Sequence, residues 1–185
     1  MSVFSYILLA LAVSLSAMVS VKNSAAAFPI RLTRGLGVAF LMAAMQCVML
    51  SLGMFVANSM PQFEFQDYNN LVFIGLSVLV AVRYLYNVFS KNRREAAFDI
   101  SKWGVVAALS LAVGMNVMLL GLALGFKTSL GSDCLKALVP MFITMMLFVY
   151  CGIMLGRQKA EIKTRRWLFF ATIFLLVFIL KSSLE

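Results

Sequence analysis

Six long apolar runs, separated by short polar loops, dominate this chain of 185 residues. A helix needs about 20 apolar residues to cross a hydrocarbon layer roughly 30 Å thick, and most of the runs are about that long. Lipid offers no hydrogen-bond partner to open backbone groups, and runs that are apolar on every face do not fit the alternating strands of a barrel. The sequence therefore predicts an all-α membrane protein with six transmembrane helices. The predicted spans are residues 3–21, 35–57, 70–89, 103–125, 135–155 and 167–180.

The basic residues are concentrated in alternate loops. Twelve of the 16 Lys and Arg residues lie in the loops after spans 1, 3 and 5, whereas the loop after span 2 holds Glu64 and Asp67 instead. The positive-inside rule places the three basic loops in the cytoplasm and both termini outside it. We therefore assign the net charge of +9 to contact with lipid headgroups, and we expect the bilayer rather than nucleic acid as a partner.

Spans 1 and 4 resemble each other. Residues 11–18 read LAVSLSAM and residues 111–118 read LAVGMNVM. Because each half has an odd number of spans, the second half must enter the membrane the other way up, as in many secondary transporters with a midplane substrate site. The sequence predicts two inverted three-helix repeats, residues 1–90 and 91–181. The alternative is that two strongly apolar helices resemble each other by chance. Residues 182–185 are either native or the start of a vector-encoded linker, and they are set apart.

The predicted spans contain no Asp or Glu, and apart from Arg83 their strongly polar residues are neutral. Gln46 and Asn116 are costly to expose to lipid and should face other helices. Ser16 occupies the repeat position equivalent to Asn116. We predict a site of carbonyl and hydroxyl oxygens for an ion or small solute; the alternative is hydrogen bonding between helices. The predicted substrate-binding residues are Ser16, Gln46, Asn87 and Asn116, with Ser14, Ser20 and Arg83 in support and Ser16, Gln46 and Asn116 as metal ligands.

Two other features leave alternatives open. Arg83 either extends to the cytoplasmic interface or pairs with helix carbonyls or an incoming anion. The 13 methionines allow soft-metal binding, although methionine is also a flexible filler of packed cores. The chain shows no phosphate loop and no pairing of a nucleophile with a base, so we do not expect an enzyme. The sequence implies no resident cofactor, and it leaves open whether the chain forms a homo-oligomer.

Several stretches resemble the MntP-type manganese efflux pumps of the LysE transporter superfamily. They are residues 10–17, Gly53, the Arg83-Tyr84-Leu85-Tyr86-Asn87 segment and residues 112–126. The resemblance implies a small protein of two three-helix repeats that exports Mn(II) across a bacterial inner membrane.

The chain departs from that family at the acidic positions. Where the resemblance implies carboxylates, this sequence has Ser16, Gln46, Asn87 and Asn116. Mn(II) prefers hard oxygen ligands such as carboxylates, and none of these four side chains titrates near neutral pH. Three hypotheses follow: an exporter of a divalent cation such as manganese, an exporter of another solute such as an amino acid or a monovalent ion, and a membrane scaffold that does not transport.

Overall fold

Six α-helices make up nearly all of the computed structural model, which describes residues 2–60, 66–89, 97–128, 132–158 and 164–184. All six are long and apolar enough to cross a membrane, which confirms the predicted all-α fold with six spans. No strand occurs within the described ranges. The helices are α1 (Val3–Ala27), α2 (Leu32–Ser59), α3 (Gln66–Phe89), α4 (Trp103–Lys127), α5 (Ser132–Arg157) and α6 (Thr164–Leu184).

The helices extend beyond the apolar runs that predicted them. The last predicted span covers residues 167–180, whereas α6 runs from Thr164 to Leu184 and so includes most of the segment set apart as a tail. Ser182 in that segment is buried, and its carbonyl accepts a hydrogen bond from Lys127. Hydropathy marks only the part of a helix within hydrocarbon, while the backbone hydrogen bonds continue through the polar residues that follow.

The helices pack between the two halves of the chain rather than within them. In the described ranges, the extensive contacts are α1 with α5 and α6, α2 with α4 and α5, and α3 with α4 and α6. Each of these pairs joins one helix from residues 1–90 to one from residues 91–184. The contacts form a closed ring in the order α1, α5, α2, α4, α3, α6. Neither half buries its apolar surface on its own.

The closest helix pairs, α1 with α5 and α2 with α4, meet at glycines. A Cβ on Gly53 in α2 would collide with the carbonyl oxygen of Met118 in α4. A Cβ on Gly152 in α5 would lie 2.7 Å from the carbonyl oxygen of Met18 in α1. Small residues allow such backbone contacts between membrane helices. The two acceptors, Met18 and Met118, occupy the same position in the matching stretches of spans 1 and 4.

The described helix ends that border the basic loops share one end of the bundle. The C-terminal ends of α1 and α5 meet where Gly156 packs against the carbonyl of Lys22. The N-terminal ends of α2 and α4 meet where the guanidinium of Arg34 lies 5.5 Å from the ring centroid of Trp103 and donates to the carbonyl of Ser101. The positive-inside rule makes this the cytoplasmic end, and the orientation stays a prediction.

Candidate functional site

Gln46 is held between α2 and α4 by the nitrogen of its side-chain amide. The side chain is fully buried, and its Nε2 donates a 2.9 Å hydrogen bond to the carbonyl oxygen of Ser110. Its Oε1 is also buried and has no hydrogen-bond partner in the described part of the chain. This oxygen lies 3.6 Å from the position that a Cβ on Gly114 would occupy. The amide is therefore fixed by its nitrogen and presents an open acceptor beside α4.

Asn116 adds a second open acceptor on α4. Its side chain is partly buried, and its Oδ1 is buried without a hydrogen-bond partner among the described residues. Gly114 and Gly121 mark the face of α4 that packs against α2. Asn116 lies two residues after Gly114, so it is rotated about 200° from that face. The other helix that packs extensively against α4 is α3.

Ser16 lies in a different polar cluster. Its hydroxyl donates to the carbonyl of Val13 at 2.8 Å and lies 3.2 Å from the hydroxyl of Tyr84, a buried residue of α3. Since α1 and α3 are not neighbours in the ring of contacts, this hydrogen bond links helices that otherwise pack through α6. Ser20 donates to the carbonyl of Ser16, and Ser24, one turn further on, accepts from the backbone N–H of Phe98. A row of serines thus runs along α1 toward the end with the basic loops.

Ser14 fits the alternative of helix–helix hydrogen bonding. Its fully buried hydroxyl donates to Thr144 Oγ1 in α5 at 3.0 Å. Thr144 in turn donates to the carbonyl of Pro140, one turn earlier in the same helix, at 2.7 Å. This chain of bonds satisfies both hydroxyls and joins α1 to α5. Ser14 therefore has a structural partner, in contrast to the open oxygens of Gln46 and Asn116.

The remaining predicted residues lie on α3. Arg83 is exposed, six residues before the end of the helix at Phe89. Asn87 belongs to α3, but its side chain lies outside the described residues. The predicted set is therefore distributed over several places. Ser16 contacts Tyr84 and Gln46 contacts Ser110, and within the described part of the chain no hydrogen bond joins Ser16, Gln46 and Asn116 to one another. The prediction that the set forms one site stays a prediction.

Sequence reasoning missed a polar row on α3. Asn70, Ser77 and Tyr84 follow each other at intervals of seven residues, which places them on one face of the helix. Ser77 and Tyr84 are buried, and Asn70 Oδ1 is buried without a hydrogen-bond partner in the described ranges. The seven-residue spacing was visible in the sequence, but serine and tyrosine are common enough in membrane helices that the pattern did not stand out.

The described residues hold no group of three or more His, Cys, Asp or Glu side chains that could bind a metal ion. The described methionines differ in their surroundings. Met42, Met54 and Met145 are buried in the apolar core, whereas Met115 is 61% exposed on the outer surface. Their distribution matches packing more closely than a soft-metal site.

These features define a multi-pass membrane protein with neutral polar side chains between its helices. A family model described as Mntp, "putative manganese efflux pump", matches residues 29–182. The chain belongs to this family of membrane transporters. Searches of curated proteins and of solved structures gave no match.

Proposed function

We propose that this protein exports a divalent cation such as manganese from the cytoplasm across the inner membrane. Membership of the manganese efflux family is the observation that carries the proposal. The ion path would be lined by Ser16, Gln46, Asn87 and Asn116, with Ser14, Ser20 and Arg83 in support. Open oxygens at Gln46 and Asn116 support this assignment, because buried acceptors without donors attract a positive charge.

The order of helix contacts supports the inverted repeat that such a transporter needs. Exchanging α1 with α4, α2 with α5 and α3 with α6 reproduces the six helix pairs, but it reverses the direction in which the ring is read. A two-fold axis along the membrane normal would keep that direction, whereas an axis in the membrane plane reverses it. The packing therefore agrees with inverted rather than parallel repeats.

The neutral oxygens limit how a divalent cation could bind and cross the membrane. Placing it in a medium of low dielectric without a compensating carboxylate is costly. Carbonyl oxygens can replace part of a hydration shell, as they do in potassium filters. We therefore expect the ion to keep several waters and to bind more weakly than at a carboxylate site. None of the four lining side chains can carry a coupled proton near neutral pH.

A second candidate, export of a monovalent ion or another small solute, is favoured by the absence of Asp and Glu from the predicted spans. A thermal-shift screen of the purified protein separates the two candidates. Stabilisation by divalent metals alone would exclude the second candidate. Stabilisation by a monovalent ion or an amino acid, with no response to manganese, would favour it.

Expression in manganese-sensitive bacteria that lack their own exporter tests the first candidate. We expect the protein to restore growth in high manganese and to lower the manganese content of the cells. The matched control is the Gln46→Leu variant, which keeps the volume of the side chain but removes both polar atoms of the amide. An equally high manganese content with and without the wild-type protein would contradict the proposal.

A further inference from the structure

The segment just before α4 joins opposite sides of the bundle. Residues 97–102, which we call the strap, lead directly into α4 at Trp103. Near its other end, the backbone N–H of Phe98 donates a 3.2 Å hydrogen bond to the hydroxyl of Ser24, close to the end of α1. In the ring of contacts, α1 and α4 lie opposite each other, with two helices between them in either direction.

The strap is too short to pass around the outside of the ring. The axes of packed helices are about 8–10 Å apart, so a path around two intervening helices would cover roughly 25–30 Å. An extended chain from Phe98 to Trp103 spans at most about 18 Å. The strap therefore passes over the interior of the bundle, at the end that borders the basic loops.

Ile100, in the middle of the strap, agrees with this path. Its side chain is 1% exposed and belongs to the apolar core of the protein, although Phe98 and Lys102 on either side are exposed. Connecting loops usually lie on the surface, so such complete burial indicates a side chain that points into the bundle. Ile100 thus fills the space between the helix ends with apolar atoms.

Polar contacts hold the strap in place. Arg34 of α2 donates to the carbonyl of Ser101, and its guanidinium lies over the ring of Trp103. The carboxylate of Asp99 accepts from the backbone N–H of Ser101 at 3.1 Å and lies 3.8 Å from Nζ of Lys102. Each such contact contributes little net stability, since water replaces it on opening. The strap can therefore lift without the unfolding of a helix.

A second closure lies deeper in the bundle. Tyr84 of α3 is buried, and its hydroxyl lies 3.2 Å from the hydroxyl of Ser16 in α1. Ser16 is eight residues before Ser24, so this contact is about 12 Å below the strap. Ser20 lies between the two levels and is only partly buried. The row of serines on α1 is therefore covered by the strap at its outer end and by Tyr84 at its inner end.

We propose that the strap is a gate at the cytoplasmic end, with Ile100 as its plug, and that it lifts to admit the cation to the row of serines. The inference rests on the proposed function and deepens it, because it names the part of the chain that controls entry. An apolar constriction excludes water and hydrated ions, so the plug suits this role. The serine hydroxyls behind it offer oxygens to an ion that has entered.

Labelling of Ser20→Cys with a membrane-impermeant maleimide tests the closure without transport. The variant is made in a chain whose three native cysteines are replaced by alanine, and inside-out vesicles present the cytoplasmic end to the reagent. We expect much slower labelling than for Lys102→Cys, because the Lys102 side chain is 74% exposed. Adding Ile100→Ala should speed the labelling of Ser20→Cys about tenfold or more, because the loss of a buried side chain of this size weakens docking by more than that factor.

Two pairs of variants control this measurement. Ile143→Ala removes the same atoms as Ile100→Ala, but from a side chain that is 53% exposed on α5, and it should leave the labelling rate unchanged. Arg34→Gln should speed labelling, because it releases the strap from α2. Arg31→Gln removes the same charge from an exposed residue three positions earlier and should not speed it.

A reversible tether tests whether the strap must lift. In the chain without native cysteines, Phe98→Cys and Ala27→Cys place thiols on two exposed residues, one in the strap and one about a turn beyond Ser24 in α1. A reducible bifunctional thiosulfonate joins the two thiols. We expect Mn(II) transport by the tethered protein to be lost and to return after reduction of the tether.

The outcomes separate this inference from the proposed function. If Ile100→Ala does not speed the labelling of Ser20→Cys, or if Ile143→Ala speeds it as much, the strap does not close the bundle and the inference fails. If the tethered protein transports Mn(II) as fast as the reduced protein, the strap is not a gate, while the proposed function stands. If the wild-type protein transports no Mn(II), the proposed function fails, and the labelling rates still decide whether the strap closes the bundle.

Discussion

Gly53 of α2 lies directly against the backbone carbonyl of Met118 in α4, so no larger residue fits at this position without moving a helix. The equivalent contact in the other closely packed helix pair places Gly152 of α5 against the carbonyl of Met18 in α1. One turn further on, each pair again brings a glycine against an alanine, but the glycine lies on α4 in one pair and on α5 in the other. Ala57 packs on Gly125 in one pair, and Gly156 packs on Ala25 in the other. The two closest helix pairs, α1 with α5 and α2 with α4, are therefore held by the same kind of backbone contact.

Gly53→Ala should destabilise the protein by about 2 kcal/mol or more, because overpacking a tight contact forces backbone shifts. Gly152→Ala should have a similar effect. The control is Gly75→Ala in α3, where a Cβ meets nothing within 4 Å. This change should be neutral or slightly stabilising, since alanine favours helices. Unfolding in mixed detergent measures all three, and equal stabilities of the Gly53 and Gly75 variants would contradict the close contact.

The sequence predicted the six spans because hydrophobic length is a direct physical requirement of the bilayer. It did not predict which helices would pair. Partner choice depends on how side chains fit in three dimensions, and lipid-facing and helix-facing surfaces are equally apolar in this chain.

The candidate site was predictable only in part. Gln46 was identified because an amide is costly to expose to lipid and should face other helices, and the structure shows it fully buried. The hydrogen bonds of Ser14 to Thr144 and of Ser16 to Tyr84 were not predictable. A sequence shows that a hydroxyl is present, but not whether a partner on another helix satisfies it.

The interleaved packing predicts that neither half folds alone. Expressed separately, residues 1–93 and 94–185 should each aggregate or be degraded, because each would expose the helix faces that normally contact the other half. Expressed together, the two fragments should assemble. Size-exclusion chromatography in detergent, after purification through a tag on one fragment, measures the assembly. A stable, monodisperse half on its own would contradict the packing.

The contact between Ser16 and Tyr84 should contribute measurably to stability. Tyr84→Phe keeps the buried ring and removes only the hydroxyl, so we expect a loss of about 1 kcal/mol. Tyr86→Phe on the same helix is the control and should have no effect, because its side chain is 71% exposed. A double-mutant cycle with Ser16→Ala tests the coupling. If the losses from Tyr84→Phe and Ser16→Ala simply add, the two hydroxyls do not interact.

Manganese transport should be nearly independent of pH between about 6 and 8. The chain has no histidine and no Asp or Glu in its predicted spans, so no group along the proposed path changes charge in this interval. Asp99 lies in the loop before α4, and hydrogen bonds from Ser101 lower the pKa of its carboxyl, so it stays ionised throughout. Initial rates of Mn(II) uptake into vesicles at fixed membrane potential test this. A steep dependence with a midpoint near 7 would indicate a titrating group in the pathway.

The most direct test of manganese export is the uptake of Mn(II) into inside-out membrane vesicles with and without the protein. We expect protein-dependent uptake by the wild type. We expect a loss of at least tenfold in Gln46→Leu, which removes the fully buried acceptor beside α4. Gly75→Ala, which changes an open position, should transport as the wild type does. The absence of any protein-dependent flux of Mn(II) in wild-type vesicles would contradict the account.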